Sequence, residues 1–152
     1  MQRRRIYRAA MTANETKAKI LQEIERQRMA YSFKMLLLVF MAELADREGR
    51  VPLSVLAERF AEFFSQRVRQ NKQVENPKRP GDFANRRTDE WEKVIIRDPA
   101  RRLGRSLLRT EESCIRWAPE VWDQWTPEFK QEIISTAHSR LEDYFDRNAG
   151  GF

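Results

Sequence analysis

The sequence predicts a mainly α-helical domain of about seven helices, with one helix-turn-helix-like pair and one small β-hairpin. Three observations predict it. Apolar residues recur at helical spacing in several separate stretches. Pro and capping residues punctuate the second half at helix starts. Two short apolar runs around a polar turn give the single strand signal. The 152 residues suit one domain, and nine Phe, four Trp and three Tyr exceed what a disordered chain carries.

The elements follow in order. Residues 1–12 read as a basic, flexible arm with Arg3, Arg4, Arg5 and Arg8 and no acid. Thr12 and Glu15 have capping-box spacing, and Ile20, Ile24 and Met29 continue a helix over about 13–29. The single helical domain is expected over 13–147, with 148–152 as a flexible tail. Phe33, Leu36, Leu37, Phe40 and Leu44 form a wide apolar stripe, the central helix of the core. Gly49 is expected to stop it as a left-handed C′ residue. Val51-Pro52-Leu53-Ser54 opens the next helix, with Leu56, Ala57, Phe60, Phe63 and Phe64 on one side. Helix, Gly-containing turn and helix over about 32–70 give the helix-turn-helix outline.

Residues 71–87 hold two Pro, one Gly and three Asn without a period, so they read as a basic loop. Thr88 is expected to cap a short helix with Trp91, Val94 and Ile95. Asp98-Pro99 starts another, which carries Arg101, Arg102, Leu103 and Arg105. Leu107-Leu108-Arg109 and Cys114-Ile115-Arg116-Trp117 form the hairpin around Thr110–Ser113. Ala118-Pro119-Glu120 and Thr126-Pro127-Glu128 start the last two helices. Phe129, Ile133, Ala137, Leu141 and Phe145 line the final one. A helix-turn-helix followed by a hairpin is compatible with a winged-helix-like arrangement, but the 40 intervening residues exceed the standard spacing.

Charge is uneven. The net +6 comprises +4 over 1–11, zero over 12–66, +5 over 67–87, −2 over 88–96, +4 over 97–109 and −5 over 110–152. A basic middle third points to a polyanionic partner, because phosphate neutralisation releases counterions. The expected nucleic-acid contacts are Arg59, Arg67, Arg69, Lys72, Lys78, Arg79, Arg86, Arg87, Arg101, Arg102 and Arg105, with Arg109 and the N-terminal arm beside them. Arg outnumbers Lys, which suits bidentate phosphate contact. Ser54, Val55, Glu58 and Arg59, at the start of the second helix of the pair, make a poor base-reading set. Backbone contact is therefore expected over sequence readout.

Catalytic chemistry finds little support. One Cys excludes an intramolecular disulfide and a Cys-based zinc site. Any His-dependent triad would have to use His138. Cys114 stands beside Glu111 and Glu112, which raise a thiol pKa, and reads as a small buried hydrophobe. Asp89-Glu90-Trp91-Glu92-Lys93 lacks the acid-x-Lys spacing of a metal nuclease. It reads as an acidic first helical turn. There is no P-loop or GxGxxG. Trp91, Trp117, Trp122 and Trp125 could stack bases, but core packing is the better reading for at least three. No enzyme activity, cofactor or metal is expected. The longest apolar run is Met35–Ala42, against about 20 residues for a membrane span. With a single Cys and no signal segment, a cytoplasmic place is expected.

Tyr31-Ser32-Phe33-Lys34-Met35-Leu36-Leu37-Leu38, Gly49-Arg50-Val51-Pro52-Leu53, Leu56-Ala57, Phe60, Phe63-Phe64 and Arg67 form a pattern. Asn76-Pro77, Asp98-Pro99 with Leu103, and Ile115-Arg116-Trp117-Ala118-Pro119-Glu120-Val121-Trp122 continue it. Over about 31–147 the chain resembles an α-helical accessory module at the C-terminal end of some bacterial superfamily-2 helicases with phospholipase D-like nuclease domains. Those proteins are associated with restriction and phage defence. Helicase and nuclease motifs are absent from this sequence, so neither activity carries over. The resemblance implies a DNA-associated or partner-associated module, a subunit of a defence system. Two functions are thus expected: a non-enzymatic DNA-backbone-contacting module, or an adaptor docking on a larger helicase or nuclease without touching nucleic acid. DNA is favoured over RNA, and no membrane is involved.

Overall fold

In the computed structural model, the described residues are 2–72, 83 and 85–149. Seven helices and three strands lie wholly among them, in the order α1 (Gln2–Arg26), α2 (Phe33–Leu44), β1 (Arg50–Pro52), α3 (Leu53–Arg69), α4 (Thr88–Arg97), α5 (Pro99–Leu103), β2 (Leu108–Thr110), β3 (Cys114–Trp117), α6 (Pro119–Trp122) and α7 (Pro127–Ala149). The mainly helical class with a small antiparallel hairpin is what the periodicity predicts. No helix among the described residues is long and apolar enough to cross a membrane.

α2 is the core element. Phe33 and every residue from Met35 to Ala42 are buried, so apolar residues occupy all its sides. Such a helix must be surrounded. α7 packs along it, α3 and α5 approach it from other directions, and α1 lies against α7.

Several boundaries differ from those expected. α1 begins at Gln2, so Thr12 and Glu15 lie inside the helix and do not start it. Arg and Ala are strong helix formers, and 2–13 are rich in both. The C-terminal end of α1 is held by Arg140 of α7, which donates to the carbonyls of Ile24, Glu25 and Gln27. A cation on terminal carbonyls also complements the helix dipole.

Gly49 does adopt a left-handed conformation, with φ 79°, but not as the C′ residue of α2. That helix ends at Leu44, and Asp46 accepts from the backbone N–H groups of Glu48 and Arg50. The turn so formed feeds a strand. Val51 pairs with Ile115, so residues 50–52 are β1 and not the start of α3. The sheet order is β1-β3-β2 and both pairings are antiparallel. The expected hairpin therefore supplies the central strand β3 and one edge strand, β2, of a three-stranded sheet. The connection between α2 and α3 also contains this strand, where a helix-turn-helix uses a turn of about 3–4 residues.

Gly49 supports that arrangement sterically. A Cβ there would stand 2.9 Å from Cδ2 of Trp122. Gly49→Ala is expected to cost about 2–4 kcal/mol from backbone strain plus overpacking. A lowered urea midpoint at unchanged m-value checks it.

In the second half, Arg87 occupies the N-cap of α4 and Thr88 is its first helical residue, so the helix starts one position earlier than expected. α5 begins with Asp98 and Pro99 as predicted. Thr126 accepts at Oγ1 from the backbone N–H of Phe129, the predicted cap of α7. Phe83 and Asn85 are helical, not part of an irregular loop. The rest of the expected loop between 73 and 84 lies outside the described residues. All four tryptophans belong to the core or pack against it.

Candidate nucleic-acid interface

The structure gathers some of the expected cations and disperses others. Arg59 pairs with Glu43 at 2.9 Å and lies over the Phe40 ring. Arg67 stacks on Phe145, 3.8 Å from its ring centroid. Arg86 covers Trp91 and Phe83. Arg87 pairs with Asp89 and Glu90 at 3.2 Å. Arg69 and Lys72 are exposed near the C-terminal end of α3. Lys78 and Arg79 lie outside the described residues.

Arg101, Arg102 and Arg105 come together, and they do not stand alone. Arg26 and Arg28, at and after the end of α1, join them with Lys34 of α2 and Arg97 of α4 around a cleft of about 520 Å³. Among the described residues, no carboxylate lies within ion-pair distance of Arg26, Arg28, Arg97, Arg101 or Arg105. Arg102 alone of the arginines has an acidic partner, donating from Nε to Asp98 at 3.1 Å. Lys34 donates to Gln27 Oε1 at 3.3 Å. Burial lowers the Lys34 pKa from the ordinary lysine value, and Arg102 lowers it further, while Asp98 opposes the shift. Like charges held this closely destabilise one another until an anion neutralises them.

This cleft continues into two others. A small one of about 210 Å³ shares Arg28, Lys34 and Arg102 with it. A third of about 700 Å³ shares Tyr31, Phe33 and Asp98 with the small one. Together they form one groove along the α1–α2 junction, α4 and α5. Tyr31 lies in the middle of this groove, 48% exposed.

Sequence reasoning found the α5 arginines and missed Arg26, Arg28, Lys34 and Arg97 as their companions. The segment 12–66 is electrically neutral overall, and a segment average hides three cations that folding turns the same way. The weak signal available was the spacing of Arg97, Arg101 and Arg105, at i, i+4 and i+8 across the Pro99 helix start.

The cations of the sheet are different. Arg50 is paired with Glu48 and with Glu111, the latter at 2.9 Å. Its hydrogen bond to Glu111 holds that carboxyl below its ordinary value. Arg116 lies 3.9 Å from the same carboxylate. Arg109 donates to the Gly104 and Leu108 carbonyls and stands 3.8 Å from Glu120. Burial raises the Cys114 thiol, and Glu111 raises it further, in the direction its acidic neighbours suggest. A raised, half-buried thiol is a poor nucleophile.

His138 is exposed on α7. Asp89 and Glu90 are engaged by Arg87, and no group of three metal-ligating side chains occurs among the described residues. Comparison with protein-family models, with curated proteins and with solved structures gives no match.

Proposed function

We propose that the protein is a non-enzymatic nucleic-acid-binding module whose groove along the α1–α2 junction, α4 and α5 grips a phosphate backbone. The observation that carries this reading is the convergence of Arg26, Arg28, Arg97, Arg101 and Arg105 from three parts of the chain, with no acidic partner among the described residues. Folding this many like charges together costs stability, and it is offset where a polyanion releases counterions on binding. Arginine's planar fork suits phosphate oxygens.

The connectivity supports the same class. α2, β1, α3, α4 and the hairpin, with β1 beside β3, follow the order of a winged helix, with the short α5 inserted between α4 and β2. In that arrangement α4 would be the recognition helix. Its first turn, however, carries Asp89 and Glu90, which repel phosphates and suit major-groove entry poorly. The proposed contact therefore lies at the C-terminal end of α4 and on α5. The preference for DNA, a cytoplasmic place and a role in a defence assembly are parts of the proposal that rest on the sequence pattern and its resemblance.

The test is fluorescence anisotropy with labelled DNA and RNA across a salt series. Binding with a log–log slope of about −3 or steeper is expected. No binding at about 50 mM salt would remove this reading.

One observation favours an adaptor instead. The exposed side of α7 presents Glu128, Glu132, Glu142, Asp143 and Asp146, a surface suited to a basic protein partner. That reading predicts no nucleic-acid affinity and co-purification with a larger helicase or nuclease subunit.

A further inference from the structure

Resting on the nucleic-acid reading, we infer that the groove takes a single strand and that Tyr31 stacks an unpaired base in it. Among the side chains described from residue 13 on, Tyr31 is the one exposed aromatic ring. The other described aromatic rings are buried or half-buried. Phe33 backs it in a stacked arrangement, centroids 5.1 Å apart and planes 7° from parallel. Phe33 is itself 6% exposed and wedged among Phe60, Phe64 and Trp91. Phe33 thus gives the Tyr31 ring a buried, closely packed backing.

The surroundings match a nucleotide chain. Tyr31 lines both the 700 Å³ and the 210 Å³ clefts. Arg28, Lys34 and Arg102 line the smaller cleft with it, and Arg86, Lys93 and Arg97 the larger. The two carboxylates in these clefts are already engaged, Asp98 by Arg102 and Glu90 by Arg87. A ring between cations is the combination that single-strand grooves use, where cations follow the backbone and aromatic faces hold bases. A duplex keeps its bases inside the stack and would have to extrude one to reach a ring recessed in a groove. A free single strand has no such cost.

The test compares three 20-nucleotide probes of equal charge: thymidine DNA, the same strand with abasic sites, and uridine RNA. A 20-base-pair duplex is the fourth. The wild-type protein is expected to bind the based strands about tenfold more tightly than the abasic strand, and to bind the duplex more weakly than either based strand. Tyr31→Ala should remove the difference between based and abasic DNA without changing the salt slope. Tyr31→Phe should keep it. The comparison of DNA with RNA separates the two sources of the base. Equal wild-type affinity for based and abasic strands, with a steep salt slope retained, would overturn the stacking inference and leave the phosphate groove standing. Tighter binding to the duplex would likewise overturn it. Absence of binding to every probe at about 50 mM salt would overturn both. The abasic comparison uses the wild-type protein, so it decides the matter even where Tyr31→Ala fails to fold.

Discussion

Trp91→Ala is expected to lower stability by about 3–5 kcal/mol, the range for emptying a large aromatic site in a core. Trp91 is 0% exposed. Its ring lies parallel to Phe64 with centroids 5.1 Å apart, and Phe60, Phe33 and Phe83 stand at 5.5, 5.8 and 6.1 Å. These rings join α2, α3, α4 and the helical residue at 83, so the cavity would open where four parts of the chain meet. Against a typical total of about 5–15 kcal/mol, the loss leaves a marginal domain. Trp91→Phe provides the contrast. The indole Nε1 has no hydrogen-bond partner among the described residues, so Phe removes volume without orphaning an acceptor. Its cost is expected near 1–2 kcal/mol. Urea unfolding followed by circular dichroism measures both. Equal costs for the two variants would show that ring volume and stacking are not what hold α4 in place.

The aromatic cluster also shows what the sequence could and could not convey. Phe33, Phe60, Phe64 and Trp91 each fall on a helical stripe, so their burial follows from period alone. That Trp91 belongs to the same cluster as Phe33 depends on how α3 and α4 meet, across a segment with no period. The strand β1 was hidden for a different reason. Three residues are too few to show alternation, and the last is Pro52, which also reads as a helix opening. Its strand character comes from Ile115, more than 60 positions away, and from the turn at Asp46 and Gly49. The start of α1 was misread because a capping box is a local signal, and favourable helix formers upstream outweigh it.

The candidate groove was legible only in part, because charge composition reports quantity and not direction. Arg59, Arg67, Arg86 and Arg87 count toward a basic middle third as fully as Arg101 does. Folding turns Arg59 and Arg87 onto carboxylates and Arg67 and Arg86 onto aromatic rings. A cation over a ring covers apolar surface, so its stem belongs to the packing as much as its charge belongs to the field. Conversely, Arg26 and Arg28 belong to a segment with no net charge, and they line the cleft with the α5 arginines where Arg140 holds the end of α1.

Changing Arg97, Arg101, Arg102 and Arg105 together to Ala is expected to weaken nucleic-acid binding by roughly 10²–10³-fold at 0.1 M salt. The magnitude follows from counterion release. A contact with a salt slope of about −0.7 contributes roughly a factor of five at that concentration, and four such contacts multiply. The salt slope itself should fall by about 3. The same variant should be no less stable than the wild type. Arg102 is the only one of the four with an acidic partner among the described residues, and its ion pair with Asp98 is an exposed i, i+4 contact worth about 0.3–0.5 kcal/mol. Against that small loss stands relief of repulsion among the remaining cations, Lys34 included. A variant that melts at or above the wild-type temperature yet loses affinity and slope would separate the electrostatic role of the groove from any part in folding. Arg69→Ala and Arg87→Ala are the controls. Both remove a charge from the basic middle third, but neither lines the groove, and both should leave the slope nearly unchanged. If they weaken binding as much as the α5 arginines do, the partner reads total charge, and the groove has no special place in its recognition.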